Sequence, residues 1–182
     1  MAIKNYGKEN DLTMKTTRQL LLHSLVIALV SVVTLSMVVS LAPLGVNGFF
    51  NLGDVAVMSF VIVLNKPEFA LSNGLGSAMA DLLTPYQIYA PYTLVIKSLL
   101  YLFVYIALRF LKKPSLRRTI PFIIGGLWIA IAYAFTEVIL YGSNAFLPAL
   151  GANAIQGFSA AIVLILISPA IETLQKRLHF NQ

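Results

Sequence analysis

Four long apolar stretches and two short ones divide this sequence, with only brief connections between them. Residues 20–41, 90–111, 120–141 and 152–174 each hold at least 22 residues. At 1.5 Å per residue, about 20 apolar residues cross a bilayer core of about 30 Å. The stretches 52–64 and 69–83 hold 13 and 15 residues and are separated by Asn65-Lys66-Pro67-Glu68, a turn with a helix breaker. They reach across only by starting among the headgroups or borrowing length from their loops. Composition agrees: 58% of the residues are apolar and 11% charged, against about 25% charged in soluble domains. The expectation is an all-α integral membrane bundle of six transmembrane helices, one substrate-binding domain over residues 1–182.

The basic residues test that count. Lys4, Lys8, Lys15 and Arg18 precede the first stretch, and Lys66 lies between the second and third. Arg109, Lys112, Lys113, Arg117 and Arg118 fall between the fourth and fifth, and Lys176 and Arg177 follow the sixth. These are 12 of the 13 basic residues, and six crossings put all of them on one side. The opposite connections, around 42–51, 84–89 and 142–151, contain none. Lys and Arg accumulate on the cytoplasmic side, so both termini and the segment 1–17 are expected there. The net charge of +6 therefore reflects topology, and no nucleic-acid partner is inferred from it. Residues 1–17 do not read as a signal peptide, because the apolar run after them is too long and lacks an A-x-A-like cleavage site. With no cysteine, a disulfide framework and thiolate chemistry are excluded. No metal site and no cofactor are expected.

Lys97 is the exception, seven residues into the fourth stretch and so about 10 Å below the outer surface. A mid-membrane lysine costs about 2.5–3.5 kcal/mol on insertion scales and should face protein or water, with a partner. Asp54, Asp81 and Glu137 share its end of the bundle. Thr93 and Lys97, and Tyr133 and Glu137, are spaced i,i+4; Asn153 and Gln156 are spaced i,i+3. Each pair shares one helix face. Together with Asn51 and Asp54, these faces describe a half-buried cavity open to the outside, ringed by Tyr86, Tyr89, Tyr92, Trp128 and Tyr141. Apolar walls with a few converging polar groups characterise small-molecule sites; polar contacts between helices and an interfacial aromatic belt are the other reading. Lys97 has two open roles, contact with a ligand or internal pairing with Glu137.

The stretch Gly48-Phe49-Phe50-Asn51-Leu52-Gly53-Asp54 reads either as the lip of that cavity or as a loop whose Asp54 caps a helix. In the first stretch, Ser24 and Ala28 form a small-xxx-small pair that admits close helix approach. His23 and His179 read as interfacial residues near the inner surface, not metal ligands.

Taken in order, these elements resemble the S components of energy-coupling-factor (ECF) transporters, the substrate-capturing membrane subunits of bacterial vitamin importers. The resemblance spans essentially the whole chain. It rests on the basic start leading to Ser24-x3-Ala28, the stretch 48–54, and Gly74-x-Gly76-Ser77-x3-Asp81-Leu82-Leu83. It continues through Tyr89-Ala90-Pro91-Tyr92-Thr93 with Lys97, then Glu137 with Tyr141-Gly142, and Asn153-x2-Gln156. The Asn-Leu-Gly-Asp loop and the Pro-x-Thr start of the fourth stretch are most similar to the branch for hydroxymethylpyrimidine or pyridoxine uptake.

The resemblance implies a non-catalytic subunit in the bacterial cell membrane. Such a subunit takes a vitamin from outside under a loop that follows its first helix. It works with a transmembrane T component and two cytoplasmic ATPases, and delivers its cargo inward by toppling in the membrane. It also implies that Ser24 and Ala28 dock the T component, with Ser24 standing where the family usually has alanine. No Walker A motif occurs, so ATP hydrolysis is assigned to other chains. The implied substrate-binding residues are Asn51, Asp54, Tyr89, Thr93, Lys97, Tyr133, Glu137, Asn153 and Gln156.

Two rivals fit less well. An intramembrane protease would use Gly53-Asp54 with Asp81, but that chemistry needs two close acids in a watered site, and neither lies mid-span. A self-sufficient secondary transporter usually shows two related halves, and no repeat is visible.

Overall fold

The computed structural model describes residues 2–36, 38–40 and 49–180. Seven α-helices carry almost all of the described residues: α1 (Ala2–Ser36), α2 (Leu52–Leu64), α3 (Ala70–Leu82), α4 (Ala90–Phe110), the single-turn α5 (Pro114–Arg117), α6 (Ile120–Tyr141) and α7 (Phe146–Phe180). The six longer ones are the six stretches expected, four of them long and apolar enough to cross a membrane. They alternate in direction, so α1 begins and α7 ends at the same end of the bundle.

The expected boundaries shift at two places. The first stretch does not remain helical to residue 41. Helix α1 stops at Ser36, and Val38–Ser40 forms strand β1, which pairs antiparallel with β2 (Phe49–Asn51) in the register Val39 opposite Phe50. Adjacent β-branched valines suit a strand better than a helix end. This short ribbon is an addition to an otherwise helical fold. The last helix begins at Phe146 and not at 152. Pro148 falls in its first turn, where a missing N–H costs no helical hydrogen bond.

Helix α2 is the central rod. Apart from Asp54 and Ser59 its sequence is apolar all round, and such a helix belongs inside a bundle. Val57, Met58 and Val61 are fully buried, and the helix packs against α7, α1 and α4. It ends at Asn65, whose positive φ of 50° stops the helix while its N–H bonds Val61 O; asparagine tolerates this left-handed geometry better than most residues. The Tyr101 hydroxyl donates to Lys66 O at 2.9 Å and ties the following turn to α4.

In oil, burial cannot sort these helices, because lipid is as apolar as leucine; close packing of small residues does. The α6–α7 contact is the most extensive in the bundle, and it closes on Gly126 and Gly157. A Cβ at Gly126 would lie 2.8 Å from Gly157 O, so only glycine permits this approach. The opposite face of α6 shows the complement: Leu127, Ile131, Phe135 and Ile139, four residues apart, are exposed and face the surroundings. Gly142, at φ 90°, then ends α6 with its N–H on Val138 O at 2.9 Å, a left-handed stop that glycine adopts without steric cost.

The basic connections gather at one end of the bundle, where Arg118 of the α5–α6 junction approaches Glu172 of α7 at 3.6 Å. The ends of α1, α3 and α6 and the beginnings of α2, α4 and α7 meet at the other. The cavity is there.

Candidate functional site

A cavity of about 430 Å³ opens at this end. Helix α4 supplies Thr93 with Tyr89 just before its start; α6 supplies Tyr133 and Glu137; α7 supplies Asn153 and Gln156; Asn51 enters from the end of β2. These seven of the nine expected site residues line one space. Helical spacing explains why: Tyr89, Thr93 and Lys97 lie on one face of α4, and Tyr133 and Glu137 on one face of α6.

The polar groups form three levels. On the rim, the Tyr89 hydroxyl donates to Glu137 Oε1 at 2.8 Å and lies 3.4 Å from the Tyr141 hydroxyl. One level down, Thr93 Oγ1 and the Tyr133 hydroxyl share a hydrogen bond of 3.0 Å. Beneath them, Lys97 Nζ sits 5.2 Å from the centre of the Tyr133 ring, within range of a cation–π attraction. The same ammonium pairs with Asp54 Oδ1, and Gln156 Nε2 donates to Asp54 Oδ2 at 2.6 Å.

That lowest level corrects two expectations. Lys97 and Asp54 do not line the cavity: Lys97 is 3% exposed and Asp54 fully buried. Lys97 also pairs with Asp54 and not with Glu137. Two charges removed from solvent need each other and saturated hydrogen bonding, and Asp54 obtains both, from Lys97 and Gln156. Nor does Asp54 cap its helix. Asn51 is the cap of α2, its Oδ1 accepting the Gly53 N–H at 2.7 Å. The segment 48–54 thus divides in function: Asn51 faces the cavity, Asp54 braces the bundle beneath it, and Gly48 lies outside the described residues.

The expected aromatic ring also needs revision. Tyr86 and Tyr89 line the cavity, and Tyr141 joins through Tyr89. Trp128 does not; its Nε1 donates to Ile96 O at 2.9 Å and its ring meets Phe103 edge-on at 4.8 Å, locking α6 to α4. Tyr92 is half-buried away from the lining. His23 is not an isolated interfacial residue: its Nδ1 lies 2.6 Å from Ser72 Oγ, and its ring stacks on Phe69, joining α1 to α3. The side chain of His179 lies outside the described residues.

Three further polar groups reach the cavity. Asp81 closes α3 and lines it, as does Thr84. Thr34, from α1, is 8% exposed and lines the cavity, and among the described residues its Oγ1 has no hydrogen-bond partner. A buried hydroxyl without a partner costs about 1–3 kcal/mol. A polar residue late in an apolar run was its only signal in the sequence. The rest of the wall is small, with Ala80, Ala145, Pro148, Ala149 and Ala152 leaving the space open.

On the outside of α1, Ser24 and Ala28 are both exposed, among exposed Leu20, Leu21, Leu25 and Leu29. Among the described residues no helix covers that face. Comparison with curated proteins found no match. Residues 14–173, nearly the whole chain, match the family model described as ECF-type riboflavin transporter, S component. With six helices carrying one polar-lined cavity and nearly the full length matched, the chain belongs to this family of S components, the substrate-binding membrane subunits of ECF transporters.

Proposed function

We propose that this chain is the capture subunit of an ATP-driven importer in a bacterial cell membrane. It takes a hydroxyl-bearing heteroaromatic vitamin or vitamin precursor from outside. The observation that carries this reading is the cavity itself: tyrosines for ring contact, and Asn51, Thr93, Asn153 and Glu137 converging on one space. The cavity lies at the end away from the basic connections, which supports an outward-facing mouth with both termini cytoplasmic. Import would require a T component and two cytoplasmic ATPases. The exposed Ser24–Ala28 face of α1 is suited to the first of these, because small residues admit a close helix crossing.

Two ligand classes follow from separate observations. The loop and helix-start motifs favour hydroxymethylpyrimidine or pyridoxine, and the family match favours riboflavin. Mass spectrometry of the molecule retained on purification, followed by calorimetric titration with each compound, distinguishes them. Retention of none, with no heat on titration of any, would remove the reading. Docking has its own test. Ala28→Trp should leave ligand affinity intact and abolish uptake by cells that supply the other subunits; unimpaired uptake would exclude that face.

A further inference from the structure

The end of the bundle opposite the cavity carries a cluster that ligand capture leaves unused. Five of the chain's 13 basic residues, Arg109, Lys112, Lys113, Arg117 and Arg118, fall in the connection from α4 to α6. All five are exposed. Membrane topology accounts for their sign. It does not account for their crowding, since like charges this close repel one another.

The fold does little to answer that charge. Of the seven acidic residues, Asp54, Asp81 and Glu137 lie at the other end, and Glu68 pairs with Lys66 at 3.6 Å. Glu172 approaches Arg118 at 3.6 Å and ties the connection to α7. The side chains of Glu9 and Asp11 lie outside the described residues. Among the described residues, then, Arg109, Lys112, Lys113 and Arg117 form no ion pair.

Depth decides which anion fits. Helix α4 holds 21 residues, about 31 Å, which matches a hydrocarbon core of about 30 Å. Its last residue, Phe110, therefore stands at a boundary of that core, and it is 80% exposed. Ile106, one turn earlier on the same face, and Leu116, among the cations on α5, are exposed as well. The connection turns back at once, with Arg117 N donating to Lys113 O at 3.0 Å, so its basic residues stay at headgroup level. An acidic partner in bulk solvent would meet these cations and leave the apolar side chains beside them uncovered. A phospholipid covers both, with its acyl chains on Ile106 and Phe110 and its phosphate among the cations.

We propose that the connection between α4 and α6 is a binding site for an anionic phospholipid, with Arg109, Lys112, Lys113 and Arg117 holding the headgroup. Clusters of four or more basic residues beside a membrane helix recognise acidic headgroups, and each cation contributes roughly fivefold in affinity for such a surface.

The test is titration of phosphatidylglycerol, and separately phosphatidylcholine with the same acyl chains, into the full chain in a neutral detergent. Native mass spectrometry counts the lipid bound. Phosphatidylglycerol should bind at least about tenfold more tightly, and the difference should shrink at high salt. Lys112→Gln/Lys113→Gln/Arg117→Gln should remove the preference, whereas Lys176→Gln/Arg177→Gln, at the same end of the bundle, should keep it. Arg109→Gln/Lys112→Gln, expected to weaken the preference severalfold, reports if the triple variant does not fold. Equal binding of the two lipids by the parent protein overturns the site. Equal loss in the Lys176/Arg177 variant overturns its assignment to this connection, leaving only a general attraction of this end for negative charge. Displacement of the lipid by inorganic phosphate, or by polyglutamate, at matched charge would make the occupant a free anion or an acidic protein and overturn the lipid.

Discussion

The brace beneath the cavity and the rim above it are built from the same residue types, and they behave as opposites. In the brace, Lys97, Asp54 and Gln156 find one another, and all three are buried. On the rim, Glu137 accepts from Tyr89 and remains half-exposed along an open wall. Charge with its partners inside the fold holds helices α2, α4 and α7 together; charge with coordination to spare is available to a guest. The comparison explains why a count of ionisable residues at one end of the chain overstates the number that line the cavity.

The largest effect should come from breaking the brace. Lys97→Met leaves Asp54 buried without its counter-charge, which typically costs about 3–5 kcal/mol. Thermal unfolding in detergent should show a large loss, partly recovered in the Asp54→Asn/Lys97→Met double variant. A Lys97→Met protein as stable as the parent would mean that the pair contributes nothing structural.

On the rim the pattern should reverse. Glu137→Gln removes a charged acceptor worth about 1.5–3 kcal/mol, so ligand affinity should fall roughly 10- to 100-fold. The unfolding temperature without ligand should barely move. Asn51→Ala tests the same side of the comparison, though the helix cap it removes adds a stability loss of about 1 kcal/mol. Undiminished affinity in both variants would place the ligand elsewhere.

Thr34→Val sharpens the contrast with a smaller change. Without ligand the variant should be as stable as the parent or slightly more so, because a buried hydroxyl with no partner disappears. With ligand it should lose about 0.5–1.5 kcal/mol, roughly 2- to 12-fold in affinity. Equal affinity would show that the hydroxyl stays unused when the cavity fills. The smallest effect is expected at Trp128→Phe. Its indole bonds a carbonyl within helix α4, so stability should drop by about 0.5–1 kcal/mol with no change in binding. A binding defect there would return Trp128 to the cavity wall.

Much of this architecture was readable from the chain. Runs of apolar residues set the number of helices, because each crossing must satisfy its backbone internally over a fixed thickness. Pro67 and Gly142 mark breaks that the structure keeps. Spacing by three and four grouped Thr93 with Lys97, Tyr133 with Glu137 and Asn153 with Gln156, and all of these but Lys97 line the cavity. Periodicity within a helix survives folding unchanged, which is why these groupings hold.

Relations between helices were another matter. That Lys97 meets Asp54, that Asp54 lies under the cavity while Asn51 faces into it, and that Trp128 turns toward Phe103 all depend on how rods rotate and cross. In a chain this apolar, no hydrophobic stripe fixes those rotations in advance. They follow from contacts such as Gly126 against Gly157, whose partners are distant in sequence. The sequence by itself determined how many helices form and which residues share a face. Tertiary structure alone decided which faces meet, because close packing between helices is a pairwise property that no single helix carries.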